Sequence, residues 1–321
     1  MTLHPTTIRP VTLEDAPAIA ELLLASDTAA LGRSDYTLTE VEGDLRRDDL
    51  EHTGWYDESG ALIGYGWVGR EGDSSKVEVD AYVHPERDAA LGPQVLATLE
   101  ARGLELATEA GHDHALYDTA AYRQDDRTNG WLRERGFEVA TTFTRMRIDL
   151  PGPVTPPQPP AGVVIRLSDG GDTDLRIAHD IDEKAFTEHY GHVPRTFEKF
   201  RDRFEEHGPE WSRLWLGDVD GAPAGLLIGT QQFVEEENAG YVRIVGVLRQ
   251  ARGRGLAKAL LHTYFAAAQA EGRGAVLLHV DQGNVTSALG LYESVGMRAV
   301  LQIDAWTKRV TTSGRHDHGG E

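Results

Sequence analysis

The 321-residue chain has no cysteine, three methionines and 7% aromatic residues. Without cysteine there is no disulfide, no thiolate-bound zinc, no iron–sulfur cluster and no thiol nucleophile. Apolar runs of about 18 residues are also missing, so no membrane-spanning helix is expected. The N-terminal MTLHPTTIRPVTLEDAPA has neither the basic nor the apolar stretch of a secretory leader, and the expected location is the cytoplasm. Positive charge is scarce. Lys and Arg number 32 against 52 Asp and Glu, a formal net charge of −20, whereas sequence-independent nucleic-acid binding needs clustered basic side chains. What remains is ordinary globular composition, 40% hydrophobic and 26% charged, in a chain long enough for two domains.

The charge is uneven. Residues 1–150 hold 14 Lys and Arg against 29 Asp and Glu, and residues 151–321 hold 18 against 23, so an anionic ligand finds the second half more hospitable. Between them, residues 151–162 read PGPVTPPQPPAG. Six prolines in twelve residues permit neither a helix nor a central strand, and the segment reads as a semi-rigid linker. Either side of it one order of elements recurs. A strand carries Ile8-Arg9 or Ile165-Arg166. Helices at 13–26 and 37–48, or 172–189 and 195–207, follow by apolar spacing. Three strands come next, at 54–57, 61–68 and 76–83, or 213–219, 224–234 and 240–247. A long helix at 92–110 or 254–270 leads to a strand, a short helix closed by Gly136-Phe137 or Gly296-Met297, and a last strand. This order implies a mixed α/β (α+β) class: two tandem copies, each a mixed, mostly antiparallel twisted sheet with helices on both faces. The expected divisions are 1–150, the linker 151–162, 163–310, and a polar, unstructured tail 311–321. His316-Asp-His318 in that tail is no more than an adventitious chelator, and no metal site is expected.

The second half holds the most informative segment. An apolar strand ends at Val247, a basic glycine-rich turn follows, and a helix begins at once. Such a turn directs backbone N–H groups and the positive end of a helix dipole at one point. Gly253 and Gly255 let a phosphate approach the backbone, and Arg249, Arg252, Arg254 and Lys258 supply positive charge. Neither G-x-x-x-x-G-K-[ST] nor G-x-G-x-x-G is present, which excludes the two commonest phosphate fingerprints. Downstream come the apolar strand 275–280 and then Asn284, Ala288, Tyr292, Gly296 and Met297 at four- and one-residue spacings.

At these residues the sequence resembles the GNAT superfamily of acetyl-CoA-dependent N-acetyltransferases. Arg252-Gly-Arg-Gly255-Leu-Ala257 matches the acyl-CoA signature [RQ]-x-x-G-x-[GA], and Asn284, Ala288, Tyr292, Gly296 and Met297 match N-x-x-x-A-x-x-x-Y-x-x-x-G-[FM]. The resemblance covers about 163–310 well and 6–150 in outline; the tandem arrangement resembles the mycothiol synthase group in architecture. It implies a set of cofactor-binding positions in which the amides of Arg252, Gly253, Arg254, Gly255, Leu256, Ala257 and Lys258 hold the diphosphate of acetyl-CoA. Val245, Val247, Asn284, Ala288 and Tyr292 would line its slot. The Val247 N–H would polarise the thioester carbonyl, and Tyr292 would protonate the leaving thiolate, a phenol still carrying its proton at neutral pH.

The group that deprotonates the amine stays open. The strand carboxylate of many relatives is replaced here by Tyr241-Val-Arg-Ile. Glu237, Asp281 and His189 are candidates for the base, and Tyr241 and Arg243 for the acceptor site. By the two-residue period Tyr241, Arg243 and Val245 should share a face. In the first half the matching positions carry Asp88 for Arg252, Leu91 for Gly255, Pro93 for Ala257, Gln124 for Asn284 and Leu132 for Tyr292. Each opposes acyl-CoA binding or acid catalysis, so that half reads as a degenerate copy. The expected function is transfer of an acetyl group from acetyl-CoA to a small-molecule primary amine, with no nucleic-acid or membrane partner and with the oligomeric state left open. A non-catalytic acyl-CoA sensor and an enzyme using another acyl-CoA are the alternatives.

Overall fold

In the computed structural model, which describes residues 7–33, 36–70, 72–87, 90–187, 194–205, 212–281 and 285–311, one order of elements runs twice. The first pass is β1 (Thr7–Pro10), α1 (Ala16–Leu31), α2 (Leu38–Asp44), β2 (Leu50–Tyr56), β3 (Leu62–Arg70), β4 (Lys76–Val83), α3 (Leu91–Glu109), β5 (His114–Tyr122), α4 (Asp126–Glu134) and β6 (Glu138–Asp149). The second is β7 (Val163–Leu167), α5 (Asp172–Phe186), α6 (Phe197–Glu205), β8 (Ser212–Val219), β9 (Ala222–Thr230), α7 (Val234–Glu237), β10 (Ala239–Val247), α8 (Leu256–Ala270), β11 (Ala275–Asp281), α9 (Val285–Ser294) and β12 (Arg298–Thr311). Only α7 has no counterpart in the sequence reading, which ran a strand to Val234. The strand stops at Thr230, and three consecutive glutamates, poor strand formers, wind into a single turn.

Two compact units result. One holds the described residues up to Thr142 together with those from Gln302 onward, and the other spans Phe143–Leu301. In the first unit the strand order is β1-β2-β3-β4-β5 followed by β12, and in the second β7-β8-β9-β10-β11 followed by β6. Pairing is antiparallel throughout except between β4 and β5 and between β10 and β11. Each half of the sequence thus gives its last strand to the other unit. The units depart from divisions at 150 and 163 for this reason. Alternating hydrophobicity marks a strand but does not name its neighbour.

In the second unit α8 packs on one face of the sheet, where Leu256, Leu260, Leu261, Tyr264 and Phe265 meet Trp215, Leu227, Val242, Val276 and Leu278. On the other face α5 and α6 bury Leu175, Ile181, Phe197 and Phe200 against Leu214, Leu226 and Ile228. The start of α8 lies unusually close to the sheet. A Cβ at Gly217 or Gly225 would stand 2.5 or 2.8 Å from Leu256, so those two glycines set how far the turn before α8 sinks. In the first unit α3 and α4 cover one face, with Leu96, Leu99 and Trp131, and α1 and α2 the other, with Ile19, Leu23 and Val41. Residues 151–162 form neither helix nor strand. Their end is tied to the second unit by Asp220 N–H donating to the Gly162 carbonyl at 2.8 Å.

Candidate active site

Between β10 and α8 the chain makes a 3-10 turn at Arg249–Ala251 and then two left-handed residues, Gly253 (φ 76°) and Gly255 (φ 81°). L-residues with a side chain resist that conformation, so glycine is what allows the backbone to reverse so tightly. Gly255 caps α8 without a side-chain bond, and the first bond into the helix is Ala259 N–H to the Gly255 carbonyl at 3.1 Å. The amides of Leu256, Ala257 and Lys258 therefore lack intrahelical acceptors. They point out of a helix N-terminus where an anion is favoured. Two of the arginines do other work. Arg254 is paired with Asp220 at 3.0 Å, which raises its pKa. Arg252 bonds the Val247 carbonyl through Nε at 3.3 Å and the Ala185 carbonyl at 3.4 Å, tying the turn to the ends of β10 and α5. Lys258 is exposed at the helix start.

Beside this turn the sheet opens. β10 pairs with β11 only from Ala239–Ala275 to Val242–Leu278. Beyond that point β10 follows β9 as far as Val247, while β11 follows β6 as far as Asp281. Leu248 N–H donates to the Ala224 carbonyl at 2.9 Å, which fixes the phase of the antiparallel ladder. In that phase Val245, opposite Leu227, and Val247, opposite Gly225, turn their own N–H and C=O groups away from β9 and into the opening.

One expectation fails here. The register slips between Val242 and Ile244, making Arg243 the extra residue of a β-bulge. Alternation resumes out of phase. Val242, Val245 and Val247 lie on the α8 side and Ile244 on the α5 side. Tyr241 packs with Phe233, Ala239 and Leu277 in a separate cluster. Tyr241, Arg243 and Val245 do not share a face.

Tyr292 sits near the end of α9, whose last turn closes with Met297 N–H on the Tyr292 carbonyl at 3.1 Å and Gly296 at φ 91°. The side chain is 9% exposed within the cluster that Val245 and Val247 border. Burial, with a smaller contribution from Tyr241, pushes its pKa up to about 12, so the phenol keeps its proton at any working pH.

The opposite face holds a network the sequence reading missed. The Tyr241 hydroxyl is 3.0 Å from His279 Nδ1, and Arg145 Nε donates to His279 Nε2 at 3.0 Å. Arg145, 4% exposed in its side chain, faces the Glu237 carboxylate at 3.5 Å and stacks on Phe233 at 4.8 Å. Arg147 also bonds Glu237. Burial raises the Tyr241 pKa, while Arg145 and Arg243 pull it down. Glu237, a candidate base, is thus held by two arginines. The missed signal was a histidine next to the end of the apolar run Ala275–Val280. The arginines lie on β6, a strand that the sequence pattern places with the first half and that pairs with β11. Asp281 ends β11, half-buried, opposite Phe143. His189 and Asn284 lie outside the described residues, as does the side chain of Ala288. Among the described residues no group of His, Asp and Glu could hold a metal ion, and no helix is long and apolar enough to cross a membrane.

Residues 176–297 match the family model described as Acetyltransferase (GNAT) family. A mycothiol acetyltransferase of Thermomonospora curvata is 30% identical over 242 residues, 74% of this chain and 76% of that protein. The chain belongs to the GNAT acetyltransferase family. A mycothiol acetyltransferase of Thermobispora bispora is 32% identical over 169 residues, 50% of this chain and 55% of that protein, so the chain matches about half the length of that relative. The solved GCN5-related N-acetyltransferase from Sphaerobacter thermophilus is 26% identical, with a TM-score of 0.81 over 95% of this chain and 96% of that one. The chain is thus an N-acetyltransferase of the tandem GNAT type, with acetyl-CoA as its co-substrate.

Proposed function

We propose that the second unit transfers acetyl from acetyl-CoA to the primary amine of a small molecule, by direct attack in a ternary complex. The observation that carries this reading is the opening between β10 and β11, with unbonded helix-start amides at one end and Tyr292 bordering its apolar lining. The amides of residues 253–258 would bind the diphosphate, with Arg252 and Lys258 adding charge. Val245, Asn284 and Ala288 would line the pantetheine arm. The amine nitrogen bonds to the thioester carbon. The Val247 N–H meets the oxygen that gains charge. The carbon–sulfur bond then breaks, Tyr292 gives its proton to the sulfur, and the proton lost by the amine nitrogen passes to solvent, from which the Tyr292 phenolate regains one. Burial that raises the tyrosine also raises the buried thiol, so the two stay matched. The absence of cysteine leaves no thiol to carry the acetyl group between substrates. Glu237 is not assigned as the base because Arg145 and Arg147 hold its carboxylate. The mycothiol acetyltransferases among its relatives are consistent with a small-molecule acceptor.

One site per chain is proposed. In the first unit Arg127 donates to the carbonyls of Val83, His84 and Arg87 at 3.2–3.4 Å, closing the strand end that corresponds to Val247. A Cβ on Gly92 would meet the Trp131 ring at 2.2 Å, so that indole fills the space beside the start of α3. Asp88 lies outside the described residues.

An amine panel with acetyl-CoA, read by release of free thiol, tests the activity. Calorimetry on the full chain should give one acetyl-CoA bound per chain. Tyr292→Phe should lower kcat by about 10²–10⁴-fold at every pH from 6 to 9.5, with the acetyl-CoA Kd within about two-fold. Binding without thiol release from any amine would make the chain a sensor.

A further inference from the structure

The chemistry at Tyr241 can be fixed more closely than its position. Arginine only donates, so the Arg145 Nε–H on His279 Nε2 requires a lone pair on that nitrogen. The neutral imidazole then carries its proton on Nδ1. That proton points at the Tyr241 oxygen 3.0 Å away, so the tyrosine oxygen accepts and its own O–H is left to donate elsewhere. Among the described residues that O–H has no other acceptor. The groups around His279 hold this state. Arg145 is on β6, Glu237 on α7 lies behind it with Arg147, Arg243 is in the bulge near Tyr241, and Asp281 is two residues further along β11. A second proton on His279 would have to displace an arginine donor.

This network lies on the face opposite α8, since Leu277 and Tyr241 pack away from the α8 cluster. The donor's diphosphate is expected at the α8 side, so an acceptor reaches the thioester from the face where Tyr241 stands. We propose that Tyr241, positioned by His279 and Arg145, donates a hydrogen bond to an oxygen of the acceptor. The preferred acceptors are then amines with a hydroxyl, carbonyl or carboxylate oxygen beside the amino group. This inference rests on the proposed function. It also means that neither Tyr241 nor His279 takes the amine's proton: His279 already donates on one nitrogen and is capped by arginine on the other.

Two measurements on the full chain test it. The first needs no activity. The ¹⁵N shifts of the imidazoles, with His279 assigned by loss of its signals in His279→Asn, should show a neutral Nδ1–H tautomer from pH 6 to 8.5. An imidazolium or an Nε2–H tautomer would overturn the proposal. The second compares alaninamide with isopropylamine, which has a methyl in place of the carboxamide. Wild type should favour alaninamide. Tyr241→Phe and His279→Leu should each cut the ratio of kcat/KM values about ten-fold without raising the KM for acetyl-CoA. His279→Asn, whose amide N–H stands near the place of Nδ1–H, should restore the ratio. A Tyr241→Phe loss equal for both amines, with the pH profile displaced, would make Tyr241 part of the base and refute the donor role. If wild type releases no thiol with any amine, the proposed function fails, and the imidazole spectrum still decides the network on its own.

Discussion

The sharpest check on the anion cradle compares two glycines two residues apart. Gly253 and Gly255 have nearly the same φ, 76° and 81°, but different surroundings. A Cβ at Gly253 meets nothing within 4 Å, while one at Gly255 lies 2.9 Å from Pro160 Cγ. Holding an alanine in the left-handed region costs about 1–2 kcal/mol. Loss of glycine's freedom in the unfolded chain returns about 0.4–1 kcal/mol of that. Gly253→Ala should therefore destabilise the protein by about 1 kcal/mol. Gly255→Ala carries the same strain plus the overlap with a proline ring, adding about 1–3 kcal/mol as for other overpacked sites. Any shift that relieves the overlap re-aims the amides of Leu256, Ala257 and Lys258. Losing one charge-assisted bond to a diphosphate, worth about 1.5–3 kcal/mol, weakens binding about 10–100-fold. Urea unfolding and acetyl-CoA calorimetry on both variants read the two quantities separately. Pro160→Ala in the Gly255→Ala background should recover most of the excess in each, because the overlap then has no ring to meet. Equal losses from the two glycine variants, or no recovery on removing Pro160, would refute the argument that the linker's end and the turn are packed as one piece.

Two further substitutions probe charge. In the first unit burial raises the Asp80 pKa from 3.8 to about 7, with Tyr82 OH and Ala81 N–H as donors to its carboxyl. The fold thus favours the neutral acid. This contribution is complete below the unfolded pKa and is lost as pH rises through 7, a fall of about 3 kcal/mol between pH 5 and 8. Asp80→Asn should flatten that part of the urea-denaturation pH profile, and an unchanged slope would sink the assignment. Asp220→Asn should release Arg254 while keeping the left-handed backbone at residue 220 (φ 52°), which asparagine tolerates. The pair is exposed on both sides, so the unfolding free energy should barely change. Acetyl-CoA affinity should rise a few-fold in low salt and be unchanged at high salt; weaker binding would mean that the Asp220 pair orders the turn.

The repeat, the linker and the two helix faces were legible because each depends on local chemistry. Thr37 and Glu40 illustrate this. They form a reciprocal cap, with the Glu40 carboxylate accepting from Thr37 N–H at 2.9 Å and the Thr37 hydroxyl from Glu40 N–H at 3.2 Å, and α2 starts where that pattern says it must. The turn at 252–258 was legible for the same reason. Its glycines are required by backbone geometry that a short window of sequence contains. The exchange of β6 and β12 was not legible, since both copies of the strand carry the same alternating pattern and the choice of neighbour is made at long range.

The bulge at Arg243 shows why the facing of Tyr241 and Val245 was not legible while the glycine turn was. The β10 backbone groups that face the opening depend only on the phase of the ladder, which is set beyond the slip by one bond, Leu248 to Ala224. Side chains on the acceptor side depend on which face each residue takes, and one extra residue in a strand reverses every face after it. Strict alternation would have put Tyr241 on the side of Val245, near the thioester arm. The slip leaves it on the other side of the sheet, within reach of His279 and of Arg145 from the far half of the sequence. The proposed acceptor side is therefore assembled from a bulge and an exchanged strand, two features that hydrophobic period cannot encode, whereas the turn proposed to hold the diphosphate sits in one continuous stretch of chain.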